Sequence, residues 1–178
     1  MKKLILLSVL FIVGCANIFI TPTKTLLYEN GSSIKLVSDL NIYDGSIEYK
    51  SRQFLLEQID KKADIEMLSI GEINVQKEDV SEGGRITVSI NTTISLDAND
   101  IMWDCKIQKM NGDAVNYRIV GSSYKPVYVY GTYVSVFSAY IDEPMNEPFK
   151  VFLIHKGSTP IRNDYIVYPN EDITSITN

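Results

Sequence analysis

The stretch RITVSINTTISL, residues 85 to 96, has the clearest structural pattern in the chain. Isoleucine, valine or leucine occupies five of its six even positions, and every odd position is polar. Because side chains alternate between the two faces of a strand, this pattern predicts a β-strand with one buried and one solvated face. A sheet with one wet face is typical of antiparallel β proteins.

The same alternation recurs on both sides of this strand. Residues 34–42 place apolar side chains on even positions, and residues 101–107 place them on odd positions. Further short apolar segments occupy residues 149–155 and 165–168. About eight or nine strands spaced in this way predict a mainly β fold. We expect a single antiparallel β-sandwich, with a small β-barrel as the alternative.

At most one α-helix is predicted, near residues 48–63. Glu48 lies early and Lys61 lies late in this segment, where their charges favour the two ends of a helix dipole. Residues 65–76 are predicted to form another strand. Their apolar positions change parity across Gly71, which indicates a β-bulge there.

The segment from residue 125 to 141 is apolar on both parities and rich in valine and tyrosine. This composition predicts a central strand, or a pair of strands broken near Gly131, covered on both faces. Tyrosine rings with polar tips suit sugar stacking, a ligand cavity or a protein interface, and they also suit an ordinary β core. The possible binding surface consists of Tyr124, Tyr128, Tyr130, Tyr133 and Tyr140.

Composition and charge exclude some classes of protein. Hydrophobic residues make up 45% and charged residues 22% of the 178 residues, proportions typical of one globular domain. Lysine and arginine number 17 against 22 acidic residues, and the four arginines are widely scattered. Since nucleic-acid binding requires clustered cations, we expect neither DNA nor RNA as a partner.

Two cysteines and one histidine limit the chemistry that this chain can perform. A structural zinc site usually needs four Cys or His ligands, so we expect no metal site and no cofactor. Cys105 shares the inward parity of its apolar neighbours, which predicts a buried, unreactive thiol. His155 is predicted to be a strand-end residue near the surface, and no catalytic motif is present. We therefore expect no catalytic residue and no enzymatic activity, with an uncharacterised hydrolase as the alternative.

The N-terminal segment has the regions of an export signal. A positive start at residues 1–3 precedes an apolar run from Leu4 to Val13. The Ile-Val-Gly-Cys order at residues 12–15 then resembles the lipobox of bacterial lipoproteins. The resemblance covers only this segment, and it implies cleavage between Gly14 and Cys15, a diacylglyceryl group on the Cys15 sulfur and a further acyl chain on the new N-terminus. Two or three acyl chains make a stable membrane anchor.

An uncleaved N-terminal membrane anchor is the alternative to lipidation. The run from Leu4 to Ile20 is 17 residues long, which is at the lower limit for a spanning helix. Removal of residues 1–14 would leave 15 basic against 22 acidic residues, a net charge of −7. Ala16 after the cysteine resembles the sorting signal for the outer membrane in proteobacterial lipoproteins.

These patterns predict four regions along the chain. They are a signal peptide at 1–14, a lipidated N-terminus and tether at 15–30, a β-rich globular domain at 31–170 and a polar C-terminal tail at 171–178.

The class of protein that this organisation favours is a non-enzymatic lipoprotein of the bacterial envelope. We expect it at the outer membrane, facing the periplasm, where it contacts lipid through Cys15. We expect it to act as an accessory or assembly subunit that docks other envelope proteins. The alternative is a lipoprotein that binds a small ligand or carbohydrate through the tyrosine-rich surface or cavity.

Overall fold

The structure is a computed structural model that describes residues 25–27, 32–38, 44–121, 126–157 and 161–169. Ten strands within these ranges form two antiparallel sheets. The first sheet has the order β1 (Thr25–Leu27), β2 (Ser33–Ser38), β10 (Ile161–Tyr168), β9 (Phe149–His155) and β5 (Trp103–Lys109). The second has the order β3 (Asp44–Lys50), β4 (Arg85–Thr92), β8 (Thr132–Ile141) and β6 (Tyr117–Val120), and β7 (Val127–Val129) also pairs with β8.

The core lies between the two sheets and is built from alternate residues of their strands. In β4, Ile86, Val88 and Ile90 are fully buried, and the polar residues between them lie on the outer face. The ring of Tyr49 in the second sheet meets Phe149 of the first sheet edge-on, with ring centroids 5.3 Å apart. The prediction of a mainly β sandwich is confirmed, and the described sheets do not close into a barrel.

Tyrosine hydroxyls also connect the two layers. Tyr165 of the first sheet donates to the Gly45 carbonyl oxygen of the second at 2.9 Å. Tyr117 of the second sheet donates to the Cys105 carbonyl oxygen of the first at 2.6 Å. Because a buried phenol hydroxyl needs a hydrogen-bond partner, these contacts allow the tyrosine rings to pack between the two sheets.

Two helices, α1 (Arg52–Glu66) and α2 (Ile70–Glu78), connect β3 to β4. The predicted helix near residues 48–63 is confirmed, but it begins later because residues 48–50 belong to β3, where Tyr49 is buried in the core. Ser51 then starts the helix, since its side-chain oxygen accepts a hydrogen bond from the Phe54 N–H at 3.3 Å.

The prediction of a strand at residues 65–76, and with it the limit of one helix, is wrong. Ser69 and Glu72 form a capping box, in which the Ser69 hydroxyl accepts from the Glu72 N–H and the Glu72 carboxylate accepts from the Ser69 N–H. Two otherwise unsatisfied N–H groups are paired in this way, so a helix can begin at this point. Gly71 consequently lies in the first turn of α2, so the change of apolar parity is not caused by a β-bulge.

Two strand boundaries also differ from the prediction. β4 ends at Thr92, whose hydroxyl accepts a hydrogen bond from the Ile94 N–H at 3.1 Å and turns the chain. Ile94 and Leu96 are therefore exposed. Ile101, predicted to point inward, is exposed in a short 3-10 turn at Asp100–Met102.

The tyrosine-rich segment forms a β-hairpin from β7 and β8. Its break at Gly131 is confirmed, because Tyr130 and Gly131 both have positive φ (46° and 92°) and form the two-residue turn. The expected cover on both faces is wrong for β7, where all three residues are exposed. In the described part of the chain β7 pairs with β8 alone, so its other edge makes no strand pairing.

The sandwich consequently has two different ends. Lys50 pairs with Arg85 where β3 and β4 join the helices, and we call residues 51–84 the helical pole. Tyr133 pairs with Thr92 at the opposite end of β4, and the turn at Tyr130 lies beyond that pair. We call residues 127–133 the tyrosine hairpin.

Candidate functional site

The helical pole is attached to the sandwich through a close-packed seam. The Tyr49 hydroxyl donates to the Gly83 carbonyl oxygen at 2.9 Å, and the Gly83 N–H donates to the Ile141 carbonyl oxygen at 2.9 Å. Gly84 has a φ of +83°, and a Cβ at this position would collide with the Lys50 carbonyl oxygen. The base of the helices is therefore held on a rigid β scaffold.

Beyond this seam, the two helices have little buried surface of their own. Ala63 is the one buried residue of α1, and α2 has none. An ion pair between Lys77 and Asp60, at 2.6 Å, links one helix to the other across a partly exposed surface. Few buried apolar contacts imply low local stability, so we expect the helical pole to open more readily than the sandwich.

The tip of the helical pole presents large apolar side chains to solvent. Ile65, Met67 and Ile70 are 80%, 90% and 79% exposed. Met67 has left-handed backbone geometry with a φ of 54°, and the following Leu68 N–H donates to the Ala63 carbonyl oxygen to close the helix. Glycine normally occupies this position, and a side chain there costs about 1 kcal/mol. Met67 thus places a flexible apolar side chain in water at an energetic cost.

Acidic residues surround this apolar tip. Residues 51–84 contain four basic and eight acidic residues, a net charge of −4, against −5 for the whole chain. Asp64, Glu66 and Glu72 are exposed beside the tip, and Glu66 also pairs with Lys62 at 3.7 Å. Hydrogen bonds from the Ser69 hydroxyl and N–H lower the pKa of Glu72, which keeps this carboxylate charged. Sequence reasoning missed the tip because it predicted a strand there, although the Ser69-x-x-Glu72 spacing was visible.

The tyrosine hairpin, at the opposite end of the sandwich, carries no charged residue. Residues 126–141 include no Asp, Glu, Lys or Arg. Tyr130 is fully exposed at the turn, and Tyr128 is 63% exposed with its ring 4.9 Å from that of Tyr133. The two ends of the molecule therefore offer different chemistry to a partner.

The predicted tyrosine surface is not one surface in the described residues. Tyr128, Tyr130 and Tyr133 come together in the tyrosine hairpin, and Tyr124 lies outside the described residues. Tyr140 lies near the other end of β8, where the Arg118 guanidinium sits over its ring at 4.8 Å. The described tyrosine rings therefore do not form one shared binding surface.

His155 is at a strand end as predicted, but its predicted position near the surface is wrong. The side chain is 3% exposed because the Trp103 ring covers it, with ring centroids 4.9 Å apart. Its Nε2 lies 3.4 Å from an Asp97 carboxylate oxygen, and its Nδ1 accepts from the Gly157 N–H at 3.3 Å. The ring is therefore almost completely covered by protein.

Cys105 is 2% exposed, which confirms its predicted burial. Burial, with a smaller contribution from the Asp104 charge, raises the pKa of its thiol to about 12. The thiolate is the reactive form of cysteine, so Cys105 is inert near neutral pH. Gly14 and Cys15 lie outside the described residues, and cleavage and lipidation there stay predictions.

Neither a metal site nor a membrane-spanning helix is present among the described residues. They contain no group of three or more His, Cys, Asp or Glu side chains placed to hold a metal ion. None of their helices has the length and apolar character needed to cross a membrane. Comparison of the chain with protein-family models, curated proteins and solved structures found no match.

Proposed function

We propose that this chain is a non-enzymatic lipoprotein of the bacterial envelope that docks a partner protein through its helical pole. The observation that carries the proposal is the exposed apolar tip at Ile65, Met67 and Ile70, held away from the core on a helical hairpin. A large residue on a strained backbone position, kept in solvent, is a reason to look for a function there. Exposed apolar groups rimmed by polar ones favour a protein interface.

The chemistry of the tip defines the partner. Met67 is flexible and polarizable, which suits insertion into an apolar pocket. The carboxylates of Asp64, Glu66 and Glu72 would face the rim of that pocket, so the rim should carry lysine or arginine. Charge complementarity of this kind speeds association and excludes acidic partners.

The direction of β1 supports an orientation in which the helical pole lies away from the membrane. Leu27 pairs with Ser33, and Ser32 bonds the Tyr49 carbonyl beside α1, so β1 runs toward the helices and Thr25 lies at its far end. The nine residues between Cys15 and Thr25 reach at most about 30 Å. A net charge of −4 would be repelled by anionic lipids, whereas the uncharged tyrosine hairpin would not. This orientation is compatible with the predicted outer-membrane location, in which the domain lies in the periplasm. An uncleaved N-terminal anchor would give the same orientation.

In-cell photo-crosslinking tests the docking proposal. Cells would produce the full-length chain with a photoreactive benzophenone side chain at position 67 or, as the matched control, at Gln53 near the base of α1. We expect a protein adduct from position 67 and little from position 53, because only the tip would enter the partner. The change Glu66→Lys should reduce the adduct by reversing one rim charge.

Equal adducts from both positions, or an adduct indifferent to Glu66→Lys, would contradict docking through the tip. None of these substitutions should disturb the sandwich fold, because Gln53, Glu66 and Met67 are all at the surface.

A second candidate function is binding of a small ligand, and one observation favours it. Tyr140 lines an open groove between the second sheet and the helices. Sugar stacking is less favoured than other ligand chemistry there, because Arg118 already covers one face of the Tyr140 ring.

A further inference from the structure

The groove at Tyr140 lies outside the apolar tip and has its own chemistry. It encloses about 470 Å³ between α1, the end of α2 and the outer face of the second sheet. Four residues of α1 line one wall at the spacing of a single helix face, namely Leu55, Gln58, Ile59 and Lys62. The opposite wall includes Arg85 and Tyr140, which are direct neighbours on β4 and β8.

Arg85 has an unusual position for a cation in an acidic protein. Its Nε atom is buried and makes no hydrogen bond with any described residue, and its guanidinium forms no ion pair with the described carboxylates. A buried donor without an acceptor is costly, so a site of this kind favours an added acceptor.

Neighbouring cations reinforce this position. The strand register places Lys50, Arg85, Tyr140 and Arg118 in one row across four strands of the second sheet. Arginine presents a planar set of donors that matches the oxygens of carboxylate and phosphate groups. Lys50 pairs with Glu48 at 3.6 Å, whereas Arg85 and Arg118 form no ion pair with the described carboxylates. This pair of arginines favours an anion on a chain whose net charge is −5.

The charges that line the groove set the charge of that anion. Lys62, Arg85 and Asp79 are the charged lining residues, and Lys62 already pairs with Glu66 at 3.7 Å, so Arg85 is the lining cation without a carboxylate partner among the described residues. A single unpaired cation fits a monoanion better than a dianion. The Leu55 and Ile59 side chains on the α1 wall add an apolar surface next to it.

We infer that this groove binds a small amphiphilic monoanion, with its acidic headgroup on Arg85 and its apolar body against Leu55 and Ile59. A carboxylate or a phosphodiester has the required headgroup chemistry. The site does not depend on the lipid anchor or on the apolar tip, so it stands or falls independently of the proposed docking function.

A pair of fluorescent probes tests this inference on the full chain. The probes are 8-anilinonaphthalene-1-sulfonate, which is a monoanion, and the neutral N-phenyl-1-naphthylamine, which has nearly the same rings. We expect saturable binding of the anionic probe, weakened about ten-fold or more by Arg85→Gln, since a charge-assisted hydrogen bond is lost. Arg52→Gln is the matched control, because Arg52 pairs with Glu82 and does not line the groove. It should leave the affinity unchanged.

Three results would overturn the inference. They are an unchanged affinity of the anionic probe in Arg85→Gln, an equal loss in Arg52→Gln, and equally tight binding of the neutral probe. Circular dichroism of each variant establishes that it is folded. Tyr140→Leu provides a second variant of the groove, for which weaker binding of the anionic probe is likewise expected and unchanged binding would count against the site.

Discussion

The helical pole and the tyrosine hairpin each contain one exposed non-glycine residue with a positive φ, but the charge around the two residues differs. Met67 and Tyr130 are the two non-glycine residues of positive φ in the described chain, and both are almost fully exposed. Each costs about 1 kcal/mol relative to a residue suited to left-handed geometry. Met67 lies among carboxylates on a thinly packed helical hairpin, whereas Tyr130 lies on an uncharged β-hairpin. Both ends of the protein therefore keep an exposed side chain at a cost in stability, and the charge around each end differs. The two ends are suited to contact two different partners.

Two glycines separate the cost of backbone strain from the cost of crowding. Gly84 and Gly131 both have positive φ, but a Cβ on Gly84 would collide with the Lys50 carbonyl oxygen, whereas one on Gly131 would meet no atom within 4 Å. We expect Gly84→Ala to lower the free energy of unfolding by about 3 kcal/mol or more, and Gly131→Ala by about 1 kcal/mol. Chemical denaturation of both variants measures the difference.

Equal losses for the two glycine variants would break the comparison. They would mean that the seam between β3, Gly84 and the helices adapts to a methyl group without cost, and that the helical pole is not rigidly attached.

Substitution of the exposed residues at the two turns, Met67 and Tyr130, should change the free energy of unfolding by less than the glycine substitutions and in the opposite direction. Asparagine tolerates left-handed geometry better than methionine or tyrosine, so Met67→Asn and Tyr130→Asn should each raise the free energy of unfolding by about 0.5–1 kcal/mol. In our account only Met67→Asn also weakens binding to the partner found by crosslinking. Denaturation and a binding titration of both variants check this separation.

Loss of stability in Met67→Asn would show that the side chain contributes packing that its 90% exposure does not suggest. Loss of partner binding in Tyr130→Asn would place the docking surface at the wrong end of the molecule.

Local patterns predicted much of the sandwich. Ile86, Val88 and Ile90 face the core as their alternation predicts, because a strand with one wet face needs only nearest-neighbour parity. The same parity rule failed at residues 65–76, where the capping box of Ser69 and Glu72 decides for helix. That spacing is a local signal, and it could have been used.

Other features depend on contacts between distant parts of the chain. His155 is buried because Trp103, 52 positions earlier, lies on its ring. The groove at Arg85 exists because β4 pairs with β8 in one register and because the helices return above that pair. Strand alternation sets a side chain's face but not its neighbours, so neither feature could be predicted from local sequence.

We propose that the tyrosine hairpin faces the membrane while the helical pole faces a partner. Fluorophore-labelled cysteines in Met67→Cys and Tyr130→Cys would report on this in full-length protein purified from membranes. The protein would be reconstituted into vesicles of phosphatidylcholine and anionic phosphatidylglycerol that contain nitroxide-labelled lipids. Cys105 should stay unlabelled, because it is buried and its pKa is about 12. Flotation of the same vesicles with Cys15→Ser tests the anchor separately, since that variant should no longer float.

Lipid quenching at position 130 with little at position 67 is the result that our account predicts. Equal quenching at both positions, or stronger quenching at position 67, would contradict it.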